Sequence, residues 1–144
     1  MITDVFSAEP GQLPGYREAG FPDPTGFGFP TIRARGLDPA ALAILDALLS
    51  QAAPAEALES AATSPTDAPD LYRAPVITMV SARTVQLLPA VDQNQLTVLA
   101  DDWAEYDELG GKSPIALRAF LDQAQELFRS AAANDRIVCV WNCL

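Results

Sequence analysis

The closing stretch, residues 137–144 (IVCVWNCL), constrains the fold more than any other part of the chain. Read as an extended segment it is apolar on both faces, with Ile137, Cys139 and Trp141 on one and Val138 and Val140 on the other. A strand that is apolar on both sides must be covered on both sides, which places it inside a sheet rather than at an edge. Just before it, Leu117, Phe120, Leu121, Ala124, Phe128 and Ala131 recur at helical spacing. Ser113 is a natural N-cap, Pro114 suits the first helical position and Asn134-Asp135 is a stop. The spacing predicts a helix of about 20 residues, roughly 30 Å long.

The other elements read as follows. Residues 1–9 form a short strand carrying Ile2, Val5 and Phe6. Thr31–Arg35 alternates between Ile32 and Ala34 on one side and Thr31, Arg33 and Arg35 on the other, the pattern of a half-exposed strand that Gly36 breaks. Asp38-Pro39 starts a helix to about Gln51 that buries Leu42, Leu45, Leu48 and Leu49. Pro54 starts a short helix through Ala62, and 63–75 is a turn-rich connector. Val76–Val80 is apolar throughout and reads as a buried strand. Ser81 caps a helix over 82–88 that Pro89 stops. Asp92 and Gln95 make a capping box for a helix to about Leu109, with Leu96, Leu99, Ala100 and Trp103 on one face and Gly110-Gly111 as its end. Strands and helices do not alternate strictly. The expectation is an α+β fold in which residues 1–144 form one domain, with a small mixed or antiparallel sheet of three to five strands and helices packed on it.

Residues 10–30 hold five prolines and five glycines in 21 positions, which prevents any long regular element. Tyr16, Phe21, Phe27 and Phe29 sit among them. A loop of that length with that aromatic content packs back onto the body or binds a ligand.

Composition removes several kinds of chemistry. There is no histidine, so a Ser-His-Asp triad, a Cys-His pair, an HExxH zinc site and an imidazole switch are all absent. The net charge is −10, with a single lysine, Lys112, and scattered arginines, which argues against nucleic acid and against an anionic membrane surface. No apolar run reaches the ~18 residues of a membrane span, and MITDVFSAEP lacks the basic start of a signal peptide, so a cytoplasmic protein is expected. Cys139 and Cys143 lie four residues apart on one strand face, with Cα atoms about 13 Å apart, too far for a disulfide. Reduced, buried thiols are expected for both. Gly111-Lys112-Ser113 ends like a phosphate-binding loop, but the glycine five positions earlier is replaced by Tyr106, and a helix C-cap followed by a Ser-Pro N-cap explains the same residues. No cofactor and no metal is expected, although carboxylate chemistry or hard-cation binding stays open.

The most informative surface feature is acidic. Between Arg83 and Lys112 there is no basic residue, while Asp92, Asp101, Asp102, Glu105, Asp107 and Glu108 are all acids. Asp101–Glu105, Asp102–Glu105 and Glu105–Glu108 are like-charge neighbours on a helix and together cost about 1 kcal/mol. Acids at a helix C-terminus also oppose the helix dipole. Such a face is either simply solvated or a docking surface for a basic partner. On the second reading Asp101, Asp102, Glu105 and Glu108 are exposed binding residues, together with Tyr106 near the helix end, while Trp103 and Trp141 belong to the core.

An RARGLDP turn into a Leu-rich helix, an acidic Trp-containing helix, an amphipathic helix and a closing apolar Trp strand, over residues 31–144, resemble in organisation small acidic bacterial proteins, some of them immunity proteins of toxin systems. That resemblance implies a non-enzymatic inhibitor that sequesters a basic, toxin-like protein. Two other readings stand beside it: a small carboxylate-based enzyme or ligand binder with a cleft beneath the 10–30 loop, and a self-associating structural subunit.

Overall fold

A computed structural model describes residues 2–51 and 75–143. The expected helix over 54–62 and most of the 63–75 connector lie outside the described residues. Four strands, β1 (Ile2–Ala8), β2 (Thr31–Arg35), β3 (Val76–Met79) and β4 (Ile137–Cys143), form one antiparallel sheet in the order β2-β1-β4-β3. The first and last strands are therefore the two central ones. The fold is α+β, as expected from the element order.

The register explains the double-sided apolar pattern of β4. Val5 stands opposite Val140 on one side and Ile32 on the other. These residues, with Val138 and Ala34, face a core built with the helices α2 (Pro39–Ser50), α3 (Ala82–Leu87), α4 (Gln93–Ala104) and α5 (Pro114–Ala133). The α5 stripe read from spacing is buried at every position named. Its N-cap hydroxyl, Ser113, accepts from the Ala116 amide, and Asp38, Ser81 and Asp92 cap α2, α3 and α4 in the same way.

The opposite sheet face is covered by residues 10–30. They hold a 3-10 turn, Pro10–Gln12, and a six-residue helix, α1 (Leu13–Glu18), two short elements where the Pro and Gly content pointed to irregular chain. Tyr16 is fully buried and its ring lies 5.0–5.5 Å, centroid to centroid, from Phe6, Phe21, Phe27 and Phe29. Its hydroxyl donates to the Pro22 carbonyl (2.6 Å), and the Trp141 indole donates to the Phe21 carbonyl (2.9 Å). Phe21 takes a positive φ of 52°, a conformation that this anchor holds in place. Burial, with Asp23, Cys139 and Asp4 nearby, drives the Tyr16 phenol well above its ordinary pKa.

Four expectations need correction. Among the described residues β3 pairs only with β4 and is an edge strand, with Met79 61% exposed; its apolar sequence suggested a covered strand, but partners across a sheet are set by the whole topology. The buried face of α2 is Ala41, Ile44, Leu45 and Ala47, while Leu42, Leu48 and Leu49 are only half-buried, because a helix apolar nearly all round does not specify its own rotation. Helix α4 ends at Ala104, not near Leu109. Tyr106 is extended (φ −83°, ψ 138°) and Asp107–Leu109 forms a separate 3-10 turn. On a continuous helix Leu109 would sit about 120° round from Trp103; the break lets both be buried. Finally, Cys139 is buried but Cys143, at the strand end, is only half-buried.

Candidate functional sites

The end of α4 gathers the acids. Asp101, Asp102 and Glu105 are exposed, as expected. Glu108 is half-buried, because the chain turns at Tyr106 and carries it off the helix. Glu105 and Glu108 are thus not neighbours on one helical face, and Asp107 and Glu108 open a 3-10 turn instead of closing α4. The acids that do oppose the α4 dipole are Asp101 and Asp102 in its last turn, with Glu105 as C-cap and no basic residue there. Tyr106 is half-buried and packs against the main core. Among the described residues none of the acids from Asp101 to Glu108 forms an ion pair. The salt bridges present lie elsewhere, at Arg33 with Asp4 and Asp23, Arg118 with Asp122 and Arg129 with Glu126. Trp103 stays in the core and donates its indole N–H to the Ala41 carbonyl (2.9 Å).

A second surface was not anticipated. An open cleft of about 310 Å³ runs between β2 and α5. Arg33–Arg35 and Leu37 form one side; Lys112 and the α5 face from Ala116 to Gln123 form the other. Three of the nine basic residues of a chain with net charge −10 therefore meet at one cleft. Arg33 is held by Asp4 and Asp23, whereas neither Arg35 nor Lys112 forms an ion pair among the described residues. Lys112 lies over Gly36, where a Cβ would stand 3.2 Å from Nζ and where φ is +71°. The cleft was invisible in the sequence because its two cationic sides are joined only by tertiary packing.

The space beneath the 10–30 loop is occupied by the rings of Phe6, Tyr16 and Phe29. The carboxylate inside it, Asp4, is fully buried and accepts from Arg33 Nε (3.2 Å), while its Oδ2 has no hydrogen-bond partner among the described residues. On the helix side of the sheet Thr3 Oγ1 lies 3.0 Å from the Leu37 carbonyl and 2.8 Å from Asn142 Oδ1, and Gln125 Nε2 donates to the carbonyls of Leu88 (2.9 Å) and Val91 (2.8 Å). Among the described residues no three His, Cys, Asp or Glu side chains gather in a way that could hold a metal ion, and no helix is long and apolar enough to cross a membrane.

No known protein family and no curated protein matches the chain. Among solved structures the chain is similar to the crystal structure of YfbM from Escherichia coli, a protein of unknown function, with a TM-score of 0.51 and 11% identity over 98% of this chain and 99% of that one. At that identity the likeness extends to the fold along nearly the whole length of both chains, and to the fold alone.

Proposed function

We propose that the protein is a non-enzymatic binding module whose acidic face at the end of α4 docks a basic protein, in the manner of an inhibitor or immunity protein. The observation that carries this reading is the acidic cluster: Asp101, Asp102 and Glu105 are exposed at the negative end of a helix and form no ion pair among the described residues. Each such placement costs the free protein about 0.3–1 kcal/mol. A cationic partner removes that cost on binding and is steered to the surface by the same charges. Asp101, Asp102 and Glu105 are the principal contacts. Tyr106 and Glu108, half-buried at the turn, form the edge of the surface.

The test is a charge reversal, Asp101→Lys with Glu105→Lys. The isolated variant should be as stable as the parent or slightly more so. Affinity capture from the native host supplies the partner, and titration with parent and variant follows. The variant complex should be weaker and slower to form, most clearly at low salt. Unchanged affinity and salt dependence would show that the face is only solvated.

A further inference from the structure

The basic cleft beside β2 suggests a second binding activity that does not depend on the acidic face. We infer that it receives an extended acidic peptide segment, added to the sheet as a fifth strand next to β2. Among the described residues β2 is a terminal strand, bonded to β1 alone, and its outer row of backbone N–H and C=O groups has no strand beside it to pair with. From Thr31 to Arg35, where Gly36 ends the strand, that edge runs roughly 13 Å, enough for about four extended residues.

The alternation of a strand sets the chemistry of the occupant. Arg33 and Arg35 stand opposite Asp4 and Ile2 and project to the loop side of the sheet, whereas Ala34, opposite Thr3, faces the helices. A strand beside β2 must follow the same pleat. Its helix-side positions would lie over Leu117 and Phe120, where the small side chains of Ala116 and Ala119 leave room for an apolar residue. Its loop-side positions would lie beside Arg35, and Lys112 closes one end of the cleft. Apolar residues alternating with Asp or Glu meet both requirements. Charge complementarity selects the acids: among the described residues Arg35 and Lys112 form no ion pair, in a protein that is strongly anionic, so a basic strand would leave them uncompensated.

The probe is the acetylated, amidated hexapeptide Glu-Val-Glu-Val-Glu-Val, titrated into the full chain at low salt and followed by backbone amide NMR. The expected result is binding that perturbs Thr31–Arg35, no binding of the Lys-Val counterpart, and about tenfold weaker binding to the Arg35→Glu, Lys112→Glu variant. Two further peptides, N-methylated at the odd or the even amides, separate strand addition from simple anion capture. Only alternate amides of an added strand face β2, so one analogue should lose binding and the other keep it. Failure of the acidic peptide to bind overturns the proposal. Equal binding of both methylated analogues overturns it in favour of a site for small anions. A concentration-dependent dimer of the protein alone that the double charge reversal dissolves overturns it in favour of a second copy of the chain. The acidic-face variant, Asp101→Lys with Glu105→Lys, should bind the peptide as the parent does or better, so failure of one reading leaves the other standing.

Discussion

Gln125 offers the sharpest test of how the helices are held together. It lies on the buried side of α5, 6% exposed, and its amide nitrogen donates to the carbonyls of Leu88 and Val91, the first residue and the C-cap of the 3-10 turn Leu88–Ala90 that follows α3. Replacement by Met keeps the length and volume of the side chain and removes both donors. The Leu88 carbonyl still accepts from the Val91 amide (3.2 Å), so its loss is partial, about 1 kcal/mol. The Val91 carbonyl is half-buried and its loss is about 1–2 kcal/mol. Gln125→Met should therefore destabilise by about 2–3 kcal/mol, a fall in melting temperature of roughly 6–12 °C for a chain of this size. Gln125→Glu carries a second signature. A carboxylate aimed at two carbonyls is disfavoured in the folded protein, so its folded pKa rises above its unfolded value. The acid form binds its proton more tightly when folded, and the deficit relative to the parent is smallest below the unfolded pKa of about 4.3 and grows as pH rises towards the folded one. Urea unfolding of parent, Met and Glu variants at pH 4.5 and 7.5 reads both effects. A Met variant that melts within about 2 °C of the parent, or a Glu variant whose deficit does not change with pH, would refute the assignment of Gln125 as the joint between α5 and the 88–91 turn.

Three other outcomes are expected. Trp103→Phe removes the hydrogen bond to Ala41 and part of a fully buried ring, and should cost about 2–3 kcal/mol in denaturant unfolding. Gly36→Ala forces a Cβ into a positive-φ position and against Lys112, and should cost about 1–2 kcal/mol; a neutral result would show that this turn relaxes freely. Burial pushes the Cys139 thiol up to about 11, so in a Cys143→Ser background a thiol reagent at pH 8 should label it only on unfolding, and rapid labelling of the native variant would contradict its burial.

The parts of the fold that were legible are those fixed by local chemistry or by strong periodicity. Asp38, Ser81, Asp92 and Ser113 announce helix starts because a cap bonds to amides two or three residues away. The α5 stripe is legible because polar residues separate its apolar ones cleanly, and β4 because alternation on both faces leaves few other places for it. What escaped depends on contacts distant in sequence. VITM is equally consistent with a central or an edge strand until its neighbours are known. The acids of 101–108 lie along one run of sequence, but the turn at Tyr106 divides them, and its cause is the shared burial of Trp103 and Leu109. The cleft is the extreme case: Arg35 reads as the polar half of a strand and Lys112 as part of a helix cap, and only the packing of α5 against β2 brings them together.

The pairing of β1 with β4 has a consequence for how the chain folds as it is made. β1 is synthesised about 130 residues ahead of one of its two neighbours, the segment Ile137–Cys143, and among the described residues β3 has no strand partner until that segment arrives. At ordinary elongation rates the interval is roughly ten seconds. During it the β1–β2 hairpin can form and Tyr16 and Phe29 can cover Phe6, but the sheet has no centre and Val5 lacks Val140 and the later helices of its core. Long-range closure of this kind gives a high contact order and a slow final step. The nascent chain therefore waits with apolar strand edges uncovered, and the abundance of the protein should depend on chaperones that shield the ribosome-bound chain as much as on the stability of the finished fold.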